Sequence, residues 1–258
     1  MSAAIALPLT ELAVLDPTLR REGWAVIRGA DLHRALALPA GALMAWQDYW
    51  ERLAPDRYLR DGGHYRRRRH GSFLVSQGVA QAVTHRAHWQ PLEYNALHGG
   101  LERWFEPLEP SWMADPLLAR LLVWLAGRAE ALLPAPAGTA QRWFAEVHPF
   151  RIDTAEGIGR PTPEGAHRDG VDLVAVILVD RHRIKGGETR VFDAEGPAGR
   201  RFTLSEAWSA LLLDDARVIH ETTPIQPLEP GQTGHRDTLV VTLRRGGFQE
   251  PAGLADRD

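Results

Sequence analysis

An α+β fold with a mainly β core is predicted by three observations. From Gln141 onward the chain breaks into short strand-like segments separated by turns; amphipathic helical segments are confined to the residues before it; and one late segment, 238–243, alternates polar and apolar residues. No repeat, low-complexity tract or long linker divides the 258 residues. The expectation is therefore one domain over 1–258, with a mostly helical part at 1–135 and a strand-rich core at 141–245.

In chain order, Trp24–Ile27 is a short strand candidate, and Pro39 opens a helix that puts Leu43, Trp46, Trp50 and Leu53 on one face. Asp115 and Pro116 supply an N-cap and a first-turn proline to a second helix. Its Leu118, Leu121, Leu122, Leu125, Ala129 and Leu132 recur at helical spacing until Pro134 stops it. The strand candidates that follow are 143–152, 172–179, 188–192, 210–213, 217–220 and 238–243. Residues 173–179 are continuously apolar, as in a strand covered on both faces, and Gly186-Gly187 marks a turn. Around Asp214-Asp215 the pattern predicts a hairpin ending in His220. In the last strand Arg236, Thr238, Val240 and Thr242 share one face, suited to a cavity, and Leu239, Val241 and Leu243 share the other, suited to helix packing. These segments fit a jelly roll with the N-terminal helices packed on one sheet.

Composition narrows the chemistry. A formal charge of −3 gives no reason to expect a nucleic-acid or membrane partner, and no apolar run approaches the ~20 residues of a membrane span. With no Cys, thiolate metal sites, disulfides and a Cys nucleophile are excluded, so any metal is held by His, Asp or Glu. The N-terminus carries Glu11 and Asp16 and no basic residue ahead of its apolar stretch, which argues against a signal peptide and for a cytoplasmic protein.

The densest chemistry lies in His167-Arg168-Asp169, in His220, and in Arg236-Asp237-Thr238. Residues two apart on an extended segment point to the same side, so His167 and Asp169 can grip one ion while Arg168 points away. With His220 they make two imidazoles and one carboxylate, the facial set that leaves Fe(II) three open positions. Arg236 offers a guanidinium to a carboxylate, and Thr238, two residues along the same face, adds a hydroxyl. That pair suits the distal carboxylate of 2-oxoglutarate. A strand through 147–151 brings His148 or Arg151 near such a co-substrate. Among the other histidines, His182 and His235 are expected in exposed turns or loops, and His85 and His88 in structural roles. Arg66, Arg67, Arg68 and Arg69 read as a solvated face from which one member can reach inward to a substrate carboxylate.

Several ordered segments carry a family resemblance: His88-Trp89-Gln90 leading to Glu93-Tyr94-Asn95; Gly99-Gly100 with Arg103 and Phe105; His148-Pro149-Phe150-Arg151; His167-Arg168-Asp169; Gly186-Gly187; Val218-Ile219-His220 before Thr223-Pro224; and Arg236-Asp237-Thr238-Leu239. Over residues 60–245 the chain resembles the bacterial 2-oxoglutarate/Fe(II) dioxygenases typified by L-isoleucine dioxygenase, which hydroxylate free aliphatic amino acids. The resemblance implies a double-stranded β-helix, Fe(II) on His167, Asp169 and His220, 2-oxoglutarate anchored by Arg236, and O₂ as second co-substrate. It implies a small-molecule substrate, with a free L-amino acid favoured, and the Asp169 carboxylate implies hydroxylation rather than halogenation. The chain departs from that pattern at Pro149, where relatives carry Gln, and at Gly170, where they carry an acid. The alternatives are a cupin-like jelly roll that isomerises or merely binds a ligand, a non-catalytic interaction domain whose histidines are structural, and an oxygenase for a peptide or another metabolite.

Overall fold

Side-chain alternation along long antiparallel strands sorts this chain into a helical layer, a large sheet and a smaller strand layer. The computed structural model describes residues 6–136 and 138–251. Its strands are β1 (Trp24–Ile27), β2 (Ala54–Pro55), β3 (Arg66–Arg68), β4 (Gly71–Ser76), β5 (Val79–Ala82), β6 (Arg142–Asp153) and β7 (Leu173–His182). There follow β8 (Ile184–Gly186), β9 (Thr189–Asp193), β10 (Gly199–Phe202), β11 (Ala210–Asp214), β12 (Val218–Thr222), β13 (Ile225–Pro227) and β14 (His235–Arg244). The helices are α1 (Leu15–Glu22), α2 (Gly29–Ala35), α3 (Gln47–Glu51), α4 (Pro110–Met113) and α5 (Pro116–Leu132).

The large sheet runs β1-β11-β7-β14-β6-β3-β2, with β4 also on β6 and β5 on β4. The smaller layer is β10-β9-β12 with the β13-β8 pair, and the whole is a jelly roll. One face of the large sheet buries Trp143, Ala145 and Val147 of β6, Leu173, Ala175, Ile177 and Val179 of β7, and Leu239, Val241 and Leu243 of β14. These pack against Leu118, Leu121, Leu122, Leu125 and Ala129 of α5 and against Trp46, Trp50 and Trp112. On the other face Val174 and Leu178 of β7 and Leu211 and Leu213 of β11 meet Val191, Phe202 and Val218 of the smaller layer. The apolar run of β7 thus serves two cores, which is why it lacks alternation.

Helix α5 starts where its cap predicts. Pro116 occupies the first turn, and the Asp115 side chain accepts from Leu117 N. The other Asp115 oxygen accepts from Trp46 Nε1 at 2.7 Å and so ties the cap to the tryptophan cluster. In that cluster Trp112 meets Trp46 and Trp50 edge-on with ring centroids 5.7 and 5.2 Å apart. The segment expected to form a helix from Pro39 is a 3-10 turn (Ala42–Trp46) continued by α3, and Leu43, Trp46, Trp50 and Leu53 are all buried.

Two expectations are corrected. Residues 54–82, which the sequence reads as loops between the two helices, contribute β2 to β5 to the large sheet, because buried arginines in β3 hide the alternation that marks a strand. Residues 211–220 are not a hairpin: β11 pairs with β1 and β7 in the large sheet, whereas β12 pairs with β9 in the smaller one. The turn after Asp214 therefore carries the chain across the sandwich, the connection a jelly roll requires.

Replacing Asp115 by Ala removes the cap and the indole acceptor together. Unfolding in urea is expected to show a loss of about 1–2 kcal/mol at unchanged m-value.

Candidate metal centre and cofactor cavity

The crossing to β12 sets His220 opposite the segment that carries His167. His167 N donates to His220 O at 3.0 Å and His220 N to His167 O at 2.9 Å, a single antiparallel bridge that holds the two rings with centroids 4.6 Å apart. Asp169 closes the triangle, with Oδ1 3.8 Å from His167 Nε2 and Oδ2 3.8 Å from His220 Nε2. The donor atoms of all three lie within 4.8 Å of one another. The Gly165 carbonyl accepts from His167 Nδ1 at 3.1 Å, which turns the Nε2 lone pair toward Asp169. Burial, and then the neighbouring His167, push His220 well below the usual imidazole range and keep it neutral. At His167 burial is outweighed by the Asp169 and Glu164 carboxylates, which raise it. Two imidazoles and a carboxylate converging without a competing cation fit a divalent metal with an open face.

The turn under Asp169 is fixed from three sides. Asp215, 1% exposed, accepts from Asp169 N at 3.0 Å, Gly170 N at 2.7 Å and Val171 N at 3.0 Å. Burial and the Asp169 charge push its carboxyl up to about 7. Gln249 Nε2 donates to the carbonyls of Asp169 and Gly170 at 3.0 and 2.8 Å. Gln90 Nε2 donates to Asp169 Oδ1 at 3.1 Å, while its Oε1 accepts from Arg103 Nη2 at 2.8 Å.

The triad opens onto a cavity floored by the large sheet. Arg236, Thr238, Val240 and Thr242 of β14 line it, beside Phe150 and His148 of β6 and Val176 of β7. Arg236 is 3% exposed, and its Nε and Nη2 are buried with no hydrogen-bond partner among the described residues. Burial, then the Arg181 charge, press it down to about 10. A guanidinium kept out of water with two unused donors fits the distal carboxylate of 2-oxoglutarate.

Strand parity decides the other expected residues. His148 faces the cavity, Nδ1 accepting from Arg68 Nη2 at 2.6 Å. Arg151, three positions on, projects from the opposite face, where it holds Asp237 with bonds of 2.8 and 2.7 Å and Glu51 with bonds of 2.9 and 2.7 Å. It does not line the cavity, and its expected co-substrate role is withdrawn. Pro149 faces away with it, cross-strand from Leu239 in the core. The arginine run is likewise split: Arg67 is exposed, whereas Arg66 and Arg68 are 5% and 4% exposed and line the cavity. Arg66 pairs with buried Asp56 at 2.7 Å. His182 is exposed, while His235 opens β14 and meets Asp180 at 3.0 Å.

A second buried group, His70, His88, Glu146 and His148, has metal-like spacing. Here protein groups supply the charge balance. Glu146 meets His70 Nε2 at 3.0 Å and His88 Nδ1 at 3.2 Å, and the Arg68 guanidinium occupies the lone pair of His148. Burial holds all three histidines low, His88 at about 4. The group is a neutral-imidazole wall anchored on one carboxylate. Sequence reasoning missed Gln90, Arg103, Glu146, Glu164 and Asp215 as site residues. Only Gln90 and Arg103 stood in a quoted motif, and neither spacing nor type distinguished the rest.

Residues 47–242 match the 2OG-Fe dioxygenase family, and the chain belongs to it. A bsmA homologue from Methylobium petroleophilum PM1 is 55% identical over 96% of this chain and 98% of its own, with a TM-score of 0.88. IDO from Bacillus thuringiensis, 16% identical over 94% and 99% of the two chains, has a TM-score of 0.73. The Fe(II)/α-ketoglutarate-dependent dioxygenase TqaL, 19% identical over 90% and 86%, has 0.65. Among curated proteins none matches. The protein is thus an oxidoreductase of the Fe(II)- and 2-oxoglutarate-dependent class with O₂ as co-substrate. Among the described residues no helix is long and apolar enough to cross a membrane.

Gln90→Leu is expected to weaken Fe(II) binding roughly 10–100-fold, the usual cost of a lost outer hydrogen bond at a metal site. Metal titration with circular dichroism checks it, and unchanged affinity would show that Asp169 is held without Gln90. Because His88 titrates at about 4 when folded and near 6.5 when unfolded, the unfolded chain takes up protons first as pH falls. The metal-free protein is therefore expected to lose stability from about pH 6.5 down through pH 4, read as a falling unfolding midpoint.

Proposed function

We propose that this protein, acting as one domain over 1–258 in the cytoplasm, hydroxylates an unactivated C–H bond of a small substrate, with a free L-amino acid favoured. His167, Asp169 and His220 hold Fe(II), and Arg236 with Thr238 holds the distal carboxylate of 2-oxoglutarate. The observation that carries this reading is one cavity that joins the convergent triad to the unpartnered donors of Arg236. When bound, Fe(II) supplies oxygen activation at the expense of 2-oxoglutarate, which leaves as succinate and CO₂.

The chain's own residues do the rest. Gly165 O orients His167, Gln90 and Asp215 fix Asp169, and Val176 and Val240 give the cavity an apolar stretch between the anchor and the histidine wall. A small amino acid is favoured because the cavity presents buried guanidinium donors to a carboxylate beside the apolar side chains of Phe150 and Ile152. The fold relative TqaL, an Fe(II)/α-ketoglutarate-dependent dioxygenase, agrees with a 2-oxoglutarate oxygenase.

Succinate release measured across the free proteinogenic L-amino acids tests the reading. The expected result is Fe(II)- and 2-oxoglutarate-dependent turnover accelerated by one chemical class of amino acid. Arg236→Leu should raise KM for 2-oxoglutarate by roughly 10–100-fold, as loss of charge-assisted hydrogen bonds predicts. His167→Ala should abolish stoichiometric iron binding. Retained iron in that variant would remove His167 from the ligand set.

A further inference from the structure

We propose that Glu164 receives the ammonium group of the amino-acid substrate while Arg103 and Arg68 receive its carboxylate, so that the free α-amine is a requirement for recognition. This rests on the functional reading above and adds to it the groups that choose the substrate.

Glu164 lies in the segment that leads into His167 and lines the cavity. Its side chain is 10% exposed. Oε1 sits 3.6 Å from His167 Nε2, its only salt-bridge partner among the described residues, and Oε2 is buried with no hydrogen bond among them. Once His167 Nε2 is given to a metal, this carboxylate has no protein cation in contact among the described residues. A buried carboxylate is costly unless a cation meets it.

The opposite charge stands across the same cavity. Arg103 and Arg68 are 2% and 4% exposed, both line it, and the Nε of each is buried without a partner. Burial, then the Arg66 charge, press Arg103 down to about 10, and the field of Glu164 reaches it without a salt bridge between them. Arg66 is neutralised by Asp56. Glu146 lies outside the cavity lining and is committed to His70, His88 and, at 3.8 Å, Arg86, which leaves the guanidinium groups of Arg68 and Arg103 facing the carboxylate of Glu164. A zwitterion satisfies both ends. A 2-hydroxy acid leaves Glu164 unpaired, and an N-acylated amino acid brings a neutral amide to a carboxylate built for a cation.

The experiment compares the full-length wild type with Glu164→Gln, each loaded with Fe(II) and 2-oxoglutarate. Three probe sets are used: the free L-amino acid that best drives succinate release, its 2-hydroxy analogue and its N-acetyl derivative. The anaerobic visible absorbance of the metal and 2-oxoglutarate complex is the binding readout. The expected result is an unchanged absorbance titration, an apparent KM for the free amino acid raised at least tenfold in Glu164→Gln, and an unchanged KM for 2-oxoglutarate. The wild type should discriminate strongly against both analogues, and the variant should narrow the gap between amino and hydroxy acid. An unaltered KM for the amino acid, or wild-type turnover of the N-acetyl derivative as fast as of the free acid, overturns the assignment while the proposed function stands. Loss of metal binding in Glu164→Gln also overturns it, by making Glu164 a ligand. If no free amino acid accelerates wild-type succinate release, the substrate class itself fails and this assignment with it.

Discussion

The two-residue period of β3, β6, β7 and β14 is the constraint on which both the stability and the chemistry of this protein depend. On β14 the same ten residues send Leu239, Val241 and Leu243 into the helix-packed core and Arg236, Thr238, Val240 and Thr242 into the cavity. The pairing to β6 sets Arg236 beside Ile152, Thr238 beside Phe150 and Val240 beside His148, while Arg66 and Arg68 of β3 extend the same face. A slip of one residue in β14 would exchange the sets, driving a guanidinium into a core of leucine and tryptophan. The helical layer therefore protects the site without touching it, because its apolar burial penalises every wrong register.

Burial makes charge the second organising force, and it separates structural arginines from those turned toward ligands. Arg151 and Arg236 lie on opposite faces of one sheet. Burial opposes the charge on Arg151, but its bonds to Asp237 and Glu51 more than offset this and raise its pKa. Arg236 has no such bonds among the described residues, and burial holds it down at about 10. The difference lies in the unfilled donors, since both side chains are largely withdrawn from water. Arg66 is paired with Asp56 through Nε, as Arg151 is with Asp237, but its Nη2 stays without a partner among the described residues. Arg66, Arg68, Arg103 and Arg236, each with a buried guanidinium atom left without a partner, all line one cavity.

Much of this was legible in the sequence because it followed from local rules. The cap at Asp115-Pro116, the two-sided apolar strand around Val176, and the polar and apolar faces of β14 each need only a few neighbouring residues to specify them. His167, Asp169 and His220 were legible through residue type, order and spacing, and the structure brings them together. What failed depended on partners distant in sequence. The Asp214-Asp215 turn resembles a hairpin turn until β1 and β9 claim its two flanking strands. The four arginines look solvated until Asp56 and the cavity claim alternate members. His148 and Arg151 could have been separated from sequence alone, since positions three apart on an uninterrupted strand face opposite ways.

Gly170 shows how one backbone requirement propagates to the metal centre. It sits at φ +76°, and a Cβ there would stand 2.4 Å from the Tyr94 ring and 2.6 Å from Gln249 Nε2. The acid that the resembling dioxygenases carry after His-x-Asp thus has no room in this arrangement, and the left-handed backbone would strain it further. The tight turn instead turns three consecutive amides, from Asp169 to Val171, onto the single carboxylate of Asp215. Because Asp215 begins the crossing from β11 toward β12, the residue that orients Asp169 belongs to the connection that delivers His220. The placement of two of the three donors is thereby mechanically joined, and the third is tied to His220 by the backbone bridge. The crossover that the sequence disguises as a hairpin is, in physical terms, what assembles the centre.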